Sequence, residues 1–274
     1  MKKIIMLLLL ASSMSGRLFS QDDLPVNTGD NFSLEGALAM FKKSANLEDF
    51  EKALNEEGND VNNLDLNGDD KIDYIVVKDI KDGETHVIVL STYLNENEMQ
   101  DIATIGIEKT GNESAVLQIE GDESLYEANT IAEPQDLEEA PASKSKGGPS
   151  VSELVSTSMV VNVWLWPSVR FLYSPRYVVW TSPYRWGKYP GWWRPWKPYT
   201  YNIFYTRSAP HRVSFHRTHT QRVIVARRVY TPRRHASNLV VHNRRGTTVI
   251  HKNNNNRVIK AKTVTRGKKT RKGR

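Results

Sequence analysis

Ile72-Asp-Tyr-Ile-Val-Val-Lys78, Asp82-Gly83 and His86-Val-Ile-Val-Leu-Ser-Thr-Tyr-Leu94 decide the fold class of this chain. Two β-branched, largely apolar runs flank an Asp-Gly pair, which is the signature of a hairpin. Downstream, Ala103, Ile105 and Ile107 alternate with polar or small neighbours, and Ala115, Leu117 and Ile119 do the same beyond the turn at residues 110–113. Upstream the period is helical. Leu34, Ala37, Leu38 and Phe41 share one face of a helix over Ser33 to Ser44. Asn46 caps a second helix with Asp49 three places on; Leu47, Phe50, Ala53 and Leu54 form its apolar side and Gly58 ends it. Helices followed by strands predict an α+β domain over residues 31–135, with two N-terminal helices packed on an antiparallel sheet of about four strands. A domain of this size buries about two-thirds of its unfolded surface.

The segment feeding the first strand is Asp65-Leu-Asn67-Gly-Asp69-Asp-Lys71-Ile-Asp73. Side-chain oxygens at loop positions 1, 3, 5 and 9, with the Lys71 carbonyl at 7, follow the first part of an EF-hand loop. Position 6, usually Gly, is Asp70, and position 12, usually a bidentate Glu, is Val76. The pattern is closer to the truncated loops of dockerins. It predicts a structural Ca²⁺ held by Asp65, Asn67, Asp69, Lys71 and Asp73, with affinity toward the weak end, ~10⁻⁴ to 10⁻³ M. The alternative is a solvated Asp-rich turn whose side chains cap local N–H groups. His86 reads as a structural residue, and the pairs Glu56-Glu57 and Glu138-Glu139 as solvated charge. No phosphate loop, nucleophile elbow or zinc-type His pair is present, so the expectation is a protein without catalytic residues.

Charge divides the chain. Residues 21–150 hold thirty of the thirty-one Asp and Glu against nine Lys and Arg, a net −21; residues 151–274 hold Glu153 against twenty-six Lys and Arg, a net +25. Before both, Met1-Lys2-Lys3 and the apolar run Ile4 to Ala11 predict a signal peptide over residues 1–20, cut after Ser20 or, failing that, after Ser15. With no cysteine, disulfides and an acylated-cysteine anchor are excluded. No later window is long and apolar enough for a transmembrane helix, so the expected location is the periplasm, the outer-membrane surface or the medium.

Residues 136–150, rich in Pro, Gly and Ser, read as a tether. Residues 151–205 contain all seven Trp and many Tyr, broken by prolines that exclude long helices and central strands. An extended, turn-rich arm is expected, with a strand piece at Tyr177 to Trp180. Trp192, Trp193, Arg194, Trp196 and Lys197 set cations beside rings, a pattern suited to stacking on sugars or bases or to a lipid interface; the alternative is an aromatic cluster folded back on the sheet. Residues 206–274 hold no acid at all from Arg207 on and read as a basic low-complexity tail, largely disordered toward its end, with Arg227, Arg228, Arg233 and Arg234 as its candidate anion contacts. Its β-branched runs leave a loose basic ribbon as the other reading. Six histidines from His211 to His251 match no zinc spacing.

The export segment, the loop Asp65 to Asp73 running into Tyr74-Ile-Val-Val, the stretches Asp101 to Gly111 and Ala115 to Gly121, and the Trp164 to Trp196 block together resemble a family of secreted Bacteroidetes proteins with an EF-hand-like loop. The resemblance implies export and supplies no activity. Three partners follow from the charge pattern. Anionic envelope material (lipopolysaccharide, anionic lipid or acidic glycan) comes first, nucleic acid outside the cell second, and the chain's own acidic head third.

Overall fold

The computed structural model of the protein describes Pro25 and residues 27–135, 160–243, 246–252 and 258–265; the export segment and the tether lie outside the described residues. Helix α1, Leu34–Lys43, starts where the Ser33 hydroxyl accepts the Gly36 N–H at 3.0 Å and ends on Lys42 and Lys43, which suit the negative end of the helix dipole. Helix α2, Leu47–Leu54, is capped by Asn46, whose side-chain oxygen accepts the Asp49 N–H at 2.8 Å. Strands β1 (Ile75–Asp82), β2 (Thr85–Asn95), β3 (Glu98–Gly111) and β4 (Ser114–Gly121) follow as antiparallel neighbours. Gly83, with φ +59°, makes the first hairpin turn.

The sheet has six strands, in the order β1-β2-β3-β4-β5-β6. This corrects the expected four. Strand β5, Ile131–Pro134, is only four residues long, and β6, Phe215–Thr218, comes from the segment read as a low-complexity tail. Neither carries enough alternation to announce a strand.

Period-two geometry gives the sheet two faces. Ile75, Val77, Ile88, Leu90, Ile105, Ile107, Leu117 and Ile119 point to the side covered by α1 and α2, and form one core with Leu34, Leu38, Phe41, Phe50 and Leu54. The arm completes that core. Val163, Trp166, Val169 and Leu172, on and before the short helix α3 (Pro167–Leu172), are buried in it, as is Phe215 of β6. Further on, the arm runs along the free edge of β1. The Asp79 N–H donates to the Trp180 carbonyl and the Ser182 N–H to the Val77 carbonyl, both at 2.9 Å, which covers an edge that would otherwise pair with another chain. The expected strand at Tyr177 to Trp180 is reduced to this bridge. Helix α4, Tyr201–Arg207, is equally short, as the proline spacing requires.

Helix α5, Ile224–Tyr230, lies on the opposite face of the sheet. Val223, Ala226 and Val229, at spacing i, i+3 and i+6, pack against Val87 and Val89. Close approach depends on Gly106: a Cβ placed there would sit 2.7 Å from the Ala226 Cβ and 2.9 Å from a Val223 methyl. Thus the segment from residue 160 to Val240, read as an arm and tail, is packed into the fold. Beyond it, β7 (Val240–Asn243), β8 (Gly246–Lys252) and β9 (Val258–Thr265) form a separate antiparallel sheet at the β-branched runs.

Replacing Gly106 with Val should push α5 off the sheet at a cost of about 1–3 kcal/mol. Limited proteolysis is expected to cut the variant near residues 222–230 well before the wild type, with a lowered melting temperature. Unchanged cleavage at that segment would contradict the packing described.

Candidate functional site

The Asp-rich loop folds through its own side chains. Asp65 accepts the N–H groups of Gly68 (2.6 Å), Asp69 (3.1 Å) and Asp70 (3.1 Å), while Asn67 accepts that of Asp69 at 2.9 Å and Asp69 that of Lys71 at 3.0 Å. Asp70 has φ +63°, so an Asp makes the sharp turn for which Gly is usual. Asp73 is buried and accepts from the Leu66 N–H at 2.6 Å and the Asn67 amide at 2.7 Å. Burial, together with the charges of Asp65 and Asp69, pushes its carboxyl well above the usual range. These donors are all oxygens of the kind a hard cation takes. Among the described residues, no group of three or more His, Cys, Asp or Glu stands in a metal-holding arrangement. The donor set fits calcium by type, with its side chains turned to loop N–H groups.

The aromatic block closes over the exit of this loop. Tyr74 is buried and meets Tyr184, Tyr189 and Trp193 at centroid separations of 5.7, 5.2 and 5.1 Å. The Ile72 N–H donates to the Trp196 carbonyl at 2.8 Å, and Asn63 holds both backbone groups of Tyr199. Trp193 is therefore core and Trp196 half-buried, whereas Trp192 is 46% exposed with Lys52 above its ring. Arg194 turns its guanidinium to the carbonyls of Gly191 and Trp193, and Lys197 is exposed.

Many arm cations meet head carboxylates. Arg207 pairs with Asp60 at 2.6 Å, Arg217 with Glu35 at 2.9 Å and Asp30 at 3.7 Å, Arg222 with Glu133 at 3.0 Å, and Arg227 with Glu120 at 3.4 Å. Arg234 takes Asp122 in a two-point grip and also reaches Glu123 and Ser124. Burial works against the charge of Arg217, and the acidic groups around it, Glu35 foremost and then Asp30, together more than offset that, so its pKa lies above the ordinary arginine value. Of the expected anion contacts on the tail, Arg227 and Arg234 are thus engaged by the chain itself. Arg233 donates to the Val229 carbonyl, and Arg228 is exposed.

Sequence reasoning missed the acids that grip the arm. Asp101 is wholly buried where β3 bulges against β2, Ile102 being skipped between the pairs Leu90↔Ala103 and Ser91↔Asp101. It accepts from Ser91 at 2.6 Å, Tyr230 at 2.8 Å and the His235 N–H at 2.8 Å. Burial pushes its carboxyl up, against these hydrogen bonds. Glu51 on α2 is also buried and accepts from Val77, Tyr74 and Ser182; burial raises it too. His86 does stand beside a carboxylate: its Nδ1 is 2.8 Å from Asp79 Oδ2, which Tyr177 also contacts at 2.8 Å. Both side chains are wholly buried.

Compared with family models, characterised proteins and solved structures, the chain shows no match.

Because burial raises Glu51, Asp101, Asp30 and Glu120, the folded state keeps protons that the unfolded chain has released. The stability these groups contribute is complete below the ordinary carboxylate range and is lost as pH rises through their raised values. Without divalent cations, the melting temperature should fall as pH rises from the ordinary carboxylate range toward neutrality. A steady rise across that window would contradict the assignment.

Proposed function

We propose that the protein is a non-enzymatic, exported binding protein of the bacterial envelope, periplasmic, outer-membrane associated or secreted, and similar to the EF-hand-like secreted family. The acidic head and the arm form its body, and a cationic extension attaches that body to lipopolysaccharide, anionic lipid or acidic glycan. The observation that carries this reading is how positive charge is divided along the sequence. Arg207, Arg217, Arg222, Arg227 and Arg234 face the head's own acids. Beyond Asn243 the sequence holds twelve Lys and Arg and no acid. Exposed Trp192 would add an apolar contact that salt does not screen, beside the exposed cations Arg194 and Lys197. Among the described residues no helix is long and apolar enough to cross a membrane.

Calcium is proposed as a structural ion held by Asp65, Asn67, Asp69, the Lys71 carbonyl and Asp73. Its charge would offset the buried Asp73 carboxylate and secure the loop on which the Tyr74 cluster rests. The head–arm ion pairs favour a second reading, in which charge polarity serves folding alone. Nucleic acid outside the cell shares the chemistry of the first.

Attachment to lipopolysaccharide vesicles should weaken steeply with salt, and removing residues 244–274 should lower it more than about tenfold at low ionic strength and flatten the salt dependence. Binding indifferent to both salt and truncation would leave the structural reading. Tighter binding to single-stranded DNA by orders of magnitude would select the nucleic-acid partner. Separately, calcium should raise the melting temperature of the wild type and not of Asp65→Ala; an equal rise in both would rule out the loop.

A further inference from the structure

The outer face of the sheet is covered in two places. Helix α5 packs over Val87 and Val89, and the aromatic block packs over Tyr74 and Val76. Between these apolar clusters lies a cleft of about 550 Å³, inside the roughly 300–1,000 Å³ of small-molecule sites. Its floor follows from the register. Val76 pairs with Ser91, Lys78 with Val89 and Ile80 with Val87, so alternate residues of both strands turn to the same face. One wall is the strand-edge segment with Thr181 and Tyr184, and the other is the turn after α5 with Arg233 and His235.

Charge in the cleft has one sign. Lys78 and Arg233 contribute cations and His235 a ring, while no Asp or Glu is among the described residues lining it. Asp101 stands near His235, its ring nitrogen 3.8 Å away, and is already held by Ser91, Tyr230 and the His235 N–H. Arg233 uses one guanidinium nitrogen on the Val229 carbonyl, and its fork has further N–H groups. A bare inorganic anion would leave the accessible apolar lining, Ile80, Tyr93 and Met99, uncovered. A plain hydrocarbon would leave the two cations unmatched.

We propose that this cleft binds a long-chain carboxylate, its chain along Ile80, Tyr93 and Met99 and its carboxylate between Lys78 and Arg233. The site shares only Arg233 with the surface residues named for polyanion attachment. It stands or falls separately from that reading.

Titration calorimetry on the full chain with decanoate below its micelle concentration tests the proposal, with decanol and acetate as the uncharged and chainless comparisons. Decanoate should saturate one site per chain, with decanol and acetate each at least about tenfold weaker. Lys78, Thr181 and Arg233 are exposed, so substitutions there leave the core intact. Combined Lys78→Gln and Arg233→Gln should weaken decanoate about tenfold and leave decanol unchanged. Thr181→Trp should block the mouth and abolish decanoate binding while the melting temperature holds. Absence of saturable decanoate binding, decanol binding as tightly as decanoate, or full binding by Thr181→Trp would each overturn the proposal.

Discussion

A carboxylate removed from water needs a cation or several donors, or it forces the fold to give way. Glu35, Asp101, Asp122 and Glu133 of the acidic half are all in that position, at 5% exposure or less. Each is met from the arm: Glu35 by Arg217, Asp101 by Tyr230 and the His235 backbone, Asp122 by Arg234, Glu133 by Arg222. The apolar contacts run in parallel, since Trp166, Val169, Leu172 and Phe215 fill the same core as α1 and α2. Acid-rich and base-rich parts are thus two portions of one interior. From Arg207 to Arg234, the charge polarity of the sequence is met within the fold itself.

The Asp-rich loop takes part in the same arrangement. It delivers the chain into β1 at Tyr74, whose ring packs against the aromatic block, and Ile72 donates its N–H to the block's Trp196 carbonyl. One wall of the outer-face cleft, at Thr181 and Tyr184, belongs to the arm along the β1 edge. Loop, edge and cleft are mechanically adjacent.

The two helices, β3 and β4 were legible because their apolar residues keep a period, and β1 and β2 because two β-branched apolar runs flank Asp82-Gly83. The expected helix from Ser33 to Ser44 is Leu34–Lys43, and the expected strand His86 to Leu94 is Thr85–Asn95. Strand β6 was not legible, since Phe215-His-Arg-Thr holds a single buried residue and its pairing to β5 spans more than eighty positions. Helix α5 was hidden for another reason: Arg222-Val-Ile-Val225 looks like a strand by residue type, and only the flat surface at Gly106 selects the helix. Asp101 carries no local mark, because an Asp in a strand reads the same whether it faces solvent or a tail. Pairing of acid-rich and base-rich parts was the available signal, and it could not name the partners.

Native-state hydrogen exchange on the full chain tests this account most directly. If buried head carboxylates hold the arm as part of one interior, amides of β6 and α5 should open with the same free energy as those of β2 and β3, and should do so at both low and moderate salt. Fast exchange throughout residues 215–230 beside a protected β2–β3 pair would contradict it.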